Sequence, residues 1–197
     1  MPSPALKGDE AGVFRIQVIG NSGSGKSRTA AQISEKLQIP VICLDKLWYK
    51  PGWIEHHVTE FRNLVREKMD ECLEGWVVDG VYSRKLEGLV EQQATDIIWL
   101  DPPFLLILGR LLKRSILRVV GVDPPCSPGC HESFSHVFFS RESVIWLALT
   151  QRERKDRIFS KMLEKDDRVQ RFGGWRKDLG DWLQRLTLVS RVERRLG

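Results

Sequence analysis

Cysteine is scarce in this chain, with four residues in 197. That is too few for a disulfide framework at this length, and Cys43 and Cys72 stand in apolar contexts that predict core positions. No long hydrophobic run is present. The most apolar stretch, residues 97–112, is broken by Asp101, Pro102, Pro103 and Arg110, which excludes a transmembrane helix. Residues 1–12 are polar and hold no apolar segment of the signal-peptide kind. There is no internal repeat, no low-complexity tract, and no helix-turn-helix, zinc-finger or RNA-binding signature. Charge is nearly balanced: a net +5 admits a nucleic-acid partner, but an enzyme that handles polyphosphates also needs surplus Arg and Lys. The remaining expectation is a soluble, cytoplasmic protein folded as one domain over 1–197, long enough to bury a sizeable core.

What is present alternates between two periodicities. Residues 14–19, 41–44, 76–78, 97–100 and 169–172 read as short buried strands. Between and after them, helical spacing marks 27–37 (Ala30, Ile33, Leu37, closed by Pro40) and 58–73 (Val58, Phe61, Leu64, Val65, Met69, Cys72, Leu73). It also marks a short turn around Leu86, Leu89 and Val90, a largely buried helix over 104–120, and a helix carrying Phe134, Val137, Phe138, Ile145 and Leu149 that ends in the basic run 152–157. Trp175, Leu179, Trp182, Leu183 and Leu186 mark a closing helix. Residues 46–54 read as an aromatic loop and 121–129 as a Pro/Gly-rich one. Strands alternating with helices predict an α/β fold of five parallel strands covered on both faces, with ligands at the carboxyl ends of the strands. Gly20, Asp45, Asp79 and Asp101 all fall at such ends.

Gly20-Asn21-Ser22-Gly23-Ser24-Gly25-Lys26-Ser27 fits G-x-x-x-x-G-K-[ST], between a predicted strand and a predicted helix. Glycines let the backbone curl so that successive N–H groups face phosphate oxygens, and the following helix adds its positive end. Lys26 is placed to reach the β- and γ-phosphates of ATP and the Ser27 hydroxyl to bind Mg²⁺. Arg28, next in the chain, is counted with this nucleotide-binding set.

Such a metal needs a carboxylate from another strand end, and Asp79 and Asp101 compete for the role. Asp79 is favoured because Gly80 permits close backbone approach, whereas Asp101 precedes Pro102 and Pro103 and suits the start of the next helix. Asp45 follows the second strand, expected beside the P-loop strand, where a carboxylate can orient an acceptor hydroxyl; it can equally cap a loop. Trp48, Tyr49 and Trp53 read either as an acceptor pocket or as packing. His56 and His57 are placed to cap the helix after them.

The P-loop together with residues 44–53 (LDKLWYKPGW), 76–85 (WVVDGVYSRK), Asp101-Pro102-Pro103 and the basic run 152–157 resembles the adenylate kinase-like P-loop kinases. The similarity is greatest to the bacterial topology-modulation group. The resemblance implies that Asp79 organises Mg²⁺, that Arg84 grips an acceptor phosphate, and that Arg110 and Arg114 flank a helical lid over 115–150. In it, Arg152, Arg154 and Arg157 border the lid's return, with guanidinium groups suited to a phosphoryl transition state. The segment after Asp45 is shorter than the nucleotide-acceptor domain of adenylate kinases, which disfavours AMP. A zinc site in the lid would draw on Cys126, Cys130 and His131 or His136, at a spacing that is not standard. The sequence therefore predicts transfer of the γ-phosphoryl group of ATP, with Mg²⁺, to a small acceptor; the other reading is a nucleic-acid-associated or regulatory P-loop ATPase.

Overall fold

The computed structural model describes residues 6–119, 144–173 and 178–186. In chain order they form β1 (Phe14–Gly20), α1 (Lys26–Leu37), β2 (Val41–Cys43), α2 (Leu44–Trp48), β3 (Tyr49–Lys50), β4 (Ile54–Glu55), α3 (Val58–Asp70) and β5 (Gly75–Asp79). Then come α4 (Ser83–Leu86), α5 (Leu89–Gln93), β6 (Asp96–Leu100), α6 (Phe104–Val119), α7 (Val144–Lys165), β7 (Val169–Phe172) and α8 over 178–186.

The inner strands are mostly apolar, as strands covered on both faces must be: β5 and β6 place their carboxylates, Asp79 and Asp96, at strand ends, and β1 interrupts its apolar run with Arg15 and Gln17. Alternation then sorts their side chains into two cores. Ile16, Val18, Val77, Ile98 and Leu100 face Ala30 and Ile33 of α1 and Trp182, Leu183 and Leu186 of α8. Ile19, Trp76, Val78, Ile97 and Trp99 face Phe61, Val65 and Met69 of α3 and Phe159 of α7. The result is a five-stranded parallel sheet in the order β2-β5-β1-β6-β7 with helices on both faces. β1 lies at its centre, so the P-loop leaves the middle of the sheet, flanked by the ends of β5 and β6. Register aligns Val18 with Asp79 and Gly20 with Leu100.

Several expectations need correction. The second strand stops at Cys43, and it lies at the sheet edge beside β5, not beside β1. Residues 46–54 are not a loop: they complete α2 and form the β3–β4 hairpin around Pro51 and Gly52. α6 is not largely buried, since Ile107 and Leu111 are fully enclosed while Leu105 and Ile116 are exposed. Leu73 lies beyond α3 and is exposed, because the helix ends at Asp70. Cys43 and Cys72 are half-buried at the margin, not core. The basic run 152–157 lies within α7, which continues to Lys165. Most of the expected lid, with Cys126, Cys130, His131, His136, Phe134, Val137 and Phe138, lies outside the described residues, as does Trp175. No helix among the described residues is long and apolar enough to cross a membrane.

Candidate active site

The P-loop runs from the end of β1 to the first turn of α1. Gly20 is at φ 145°, where a Cβ would lie 2.4 Å from the Leu100 carbonyl oxygen, so only glycine lets β1 turn this close to β6. The loop closes through Ser24 N–H donating to the Asn21 carbonyl at 3.1 Å, and Lys26 Nζ donates to the same carbonyl at 3.0 Å. The N-terminus of α1 has no side-chain cap and no acidic residue in its first turn. α3 differs: His57 caps it, as expected, by accepting from Thr59 N–H, and Glu60 stands in its first turn. An uncapped helix start behind a glycine-rich turn leaves backbone donors and the positive dipole end for an anion.

The Lys26 ammonium is desolvated. Burial holds its pKa below the ordinary lysine value, opposed by the nearby carboxylates of Asp79 and Asp45 and reinforced by the positive charges of Lys155 and Arg114. Asp79, 6% exposed at the end of β5, accepts a hydrogen bond from Ser27. Burial pushes its carboxyl above the usual value, countered by Ser27 and by the Lys26 charge and reinforced by Asp45. Gln17 Nε2 donates to the Gly80 carbonyl at 3.3 Å, which holds the turn after Asp79. A hydroxyl bonded to a carboxylate offers the hard oxygen donors that suit Mg²⁺, and the group of three or more His, Cys, Asp or Glu that would form an all-protein cage is absent among the described residues.

Asp101 separates from this cluster. Its carboxylate pairs with Arg171 of β7, with Nε at 3.1 Å, and it does not cap α6; the Pro103 carbonyl accepts from the Leu106 and Ile107 amides in the first turn of that helix. Asp45 takes the opposite course. It stands in the first turn of α2 and accepts from the Tyr82 hydroxyl at 2.7 Å, while sharing its field with Lys26 and Lys155. Trp48 is core, 2% exposed against Phe61 and Tyr82, and Tyr49 contacts it edge-on and in turn meets Trp53, which is 39% exposed, so the three rings form one run from the core to the surface.

α6 brings its arginines to the loop. Ile107 and Leu111 pack on Gly23, whose added Cβ would meet Leu111 Cγ at 2.8 Å. Arg110 and Arg114 share that helix face. Arg110 Nη1 donates to the Ser24 carbonyl at 2.8 Å, and Arg114 Nη2 donates to Ser22 Oγ at 3.3 Å. Arg84 is exposed on α4, two residues after Tyr82, and its neighbour Lys85 lays its ammonium over the Trp48 ring, 3.3 Å from the centroid. Arg157 is exposed, and the side chains of Arg152 and Arg154 lie outside the described set.

Three site neighbours escaped the sequence reading. Lys155 and Asp156 lie inside the basic run but were overshadowed by its arginines. Phe159 packs on Trp99, and one turn earlier Lys155 is carried on the same buried face, where desolvation lowers its pKa against the pull of Asp45. Asp156 accepts from Asn21 Nδ2 at 3.0 Å. Tyr82 was visible in the Asp-Gly-x-Tyr stretch, but nothing in the sequence says which carboxylate it meets. A cleft of about 190 Å³ opens on another side of the P-loop, lined by Arg28, Thr29, Gln32, Arg110, Phe172 and Leu183 among others. None of Lys26, Asp45 or Asp79 lines it.

No family model matches this sequence, and no curated protein matches it. Among solved structures it is similar to an unliganded sugar kinase from Janibacter sp. HTCC2649, at 16% identity over 90% of this chain and 92% of that one, with a TM-score of 0.52. A shikimate kinase from Bacteroides thetaiotaomicron matches at 16% identity over 89% and 97% of the two chains, with a TM-score of 0.48. At such identity the likeness is one of fold, and the fold of this chain is the α/β fold of the P-loop kinases, a five-stranded parallel sheet with helices on both faces.

Proposed function

We propose that this chain is an ATP-dependent phosphotransferase that moves the γ-phosphoryl group to a hydroxyl of a small acceptor. One observation carries the reading: the desolvated ammonium of Lys26 lies in the field of two carboxylates with different partners, Asp79 bonded to the P-loop Ser27 and Asp45 bonded to Tyr82 outside the loop. A nucleotide-binding or hydrolytic site needs the first carboxylate. The second gives a reason to hold something other than water in line with the γ-phosphoryl group.

In this reading residues 20–27 cradle the β- and γ-phosphates, and the cleft beside Arg28 and Arg110 takes the nucleoside. Ser27 and Asp79 hold Mg²⁺, which supplies charge neutralisation at the phosphates. Lys26, Arg110 and Arg114 face the charge spread over the transferred oxygens, and Arg110 and Arg114 exchange their present loop contacts for it. Asp45 accepts a hydrogen bond from the acceptor hydroxyl and takes its proton as the new O–P bond forms. The acceptor side is built from the five-residue α2 and a two-stranded hairpin, which favours a small molecule. Membership of the adenylate kinase-like group, closest to the topology-modulation proteins, a single unit over 1–197 with a lid at 115–150, and a cytoplasmic location where ATP is available belong to the same proposal.

The test is ADP release from Mg²⁺-ATP, alone and with adenosine, AMP, glycerol or ribose. At least one of these alcohols is expected to stimulate turnover, and Lys26→Ala is expected to reduce it on the order of 10²-fold by removing the cation at the phosphates. Turnover that responds to added nucleic acid and to none of the alcohols would replace this reading with the ATPase one.

A further inference from the structure

We propose that Tyr82 is a positioning residue for the phosphoryl acceptor, acting through Asp45; this deepens the phosphotransferase reading and rests on it. The Tyr82 hydroxyl donates to Asp45 Oδ1 at 2.7 Å, a short bond from a neutral donor to a carboxylate. A carboxylate on a two-torsion side chain otherwise samples several planes, and a bond at one oxygen fixes that plane. The ring that carries the hydroxyl is itself held, 5.3 Å from Phe61 and 6.0 Å from Trp48 between centroids, and Phe61 and Trp48 are both enclosed. Asp45 thus inherits its orientation from a packed aromatic cluster, although it belongs to a helix of only five residues at the sheet edge.

The second part of the argument is where Tyr82 comes from. It lies three residues after Asp79, on the segment that leaves β5, and Gln17 anchors that segment through the Gly80 carbonyl. Gly80 is at φ 131°, and a Cβ there would come 3.2 Å from Leu44 Cβ, the residue before Asp45. One short stretch therefore carries the carboxylate that meets the P-loop hydroxyl, packs against the start of α2 and fixes the second carboxylate. The distance between a phosphoryl group held by one and an acceptor hydroxyl held by the other is set by residues 79–82. Misplacing a reacting group by about 1 Å costs on the order of 10²-fold in rate, so a bond of this kind has a measurable effect.

Tyr82→Phe keeps the ring and removes the hydroxyl. With the alcohol that best stimulates the wild-type protein among adenosine, AMP, glycerol and ribose, the ratio of acceptor phosphorylation to ATP hydrolysis is expected to fall about tenfold, while Mg²⁺-ATP affinity by calorimetry changes less than twofold. The thermal midpoint should fall by no more than about 2–4 °C, the effect of one lost hydrogen bond in a chain of this size. Because Tyr82 acts through Asp45, Tyr82→Phe/Asp45→Asn should have the same ratio as Asp45→Asn alone. The bond can also be read directly: the chain has two tyrosines, Tyr49 and Tyr82, and ¹³Cζ labelling should show only the Tyr82 resonance moving in Asp45→Asn. An unchanged ratio in Tyr82→Phe, a double variant worse than Asp45→Asn, or an unmoved Tyr82 resonance would overturn this inference and leave the phosphotransferase reading standing. Stimulation by none of the four alcohols in the wild type would overturn both.

Discussion

Lys26 and Asp79 illustrate opposite responses to the same burial. For Asp79 the folded protein binds its proton more tightly than the unfolded chain does, so its contribution to stability falls as pH rises from the ordinary value of 3.8 through the raised one. For Lys26 the unfolded chain holds the proton more tightly, so stability rises with pH from the lowered value to the ordinary 10.5. Binding of Mg²⁺ and phosphates should relieve both, since it favours the carboxylate and the ammonium. Mg²⁺-ATP affinity should therefore weaken as pH falls through the raised value of Asp79, and calorimetry over a pH series should show that component missing in Asp79→Asn. The same variant should raise the Mg²⁺ concentration needed for half-maximal turnover on the order of tenfold. Asp101→Asn should leave that requirement in place and lower the thermal midpoint instead, because its partner is Arg171 of β7. A larger Mg²⁺ effect for Asp101→Asn than for Asp79→Asn would reverse the assignment.

At the scale of elements, the site is made by contacts that the sequence could only partly announce. The P-loop was legible because its chemistry is local: glycine, lysine and serine at fixed spacing, between an apolar run and a helical one. Asp45 was legible as a residue but not as a position. The four-residue apolar run 41–44 carries no period that marks where strand gives way to helix, and strand order depends on crossovers that no local pattern records. α6 was read as buried from its many leucines, yet its enclosed face is narrow, Ile107 and Leu111 against Gly23. That contact sets how Arg110 and Arg114 approach the loop, and it can be tested without ligand. Gly12 and Gly23 have nearly the same φ, 77° and 78°, but an added Cβ meets nothing within 4 Å at Gly12 and lies 2.8 Å from Leu111 at Gly23. Urea unfolding should give Gly12→Ala a cost of about 1 kcal/mol from backbone strain, and Gly23→Ala a further 1–3 kcal/mol or so from the collision. Equal costs would show that α6 does not press on the loop.

For the molecule as a whole, the order β2-β5-β1-β6-β7 places three strand ends side by side, those of β2, β5 and β1, and each delivers one part of the site. β1 delivers the P-loop, β5 delivers Asp79 and then Tyr82, and the edge strand β2 delivers Asp45 by way of α2. The sheet, its five strands and both helical layers followed from alternation and periodicity, and the closing helix with Trp182 and Leu186 packed where its spacing indicated. What the sequence did not disclose is the third dimension. Lys155 and Asp156 arrive from α7, more than a hundred residues beyond Asp45 and the P-loop, and only packing of Phe159 on Trp99 turns them toward the site. In the proposed reading, the two carboxylates gathered around one desolvated lysine serve to choose between water and an alcohol. The most direct measurement is where the γ-phosphoryl group ends up. In ³¹P NMR of Mg²⁺-ATP turnover with adenosine, AMP, glycerol and ribose supplied in turn, a new phosphoester resonance should grow in step with ADP for at least one of them. Growth of inorganic phosphate alone, with every one of the four, would contradict the account.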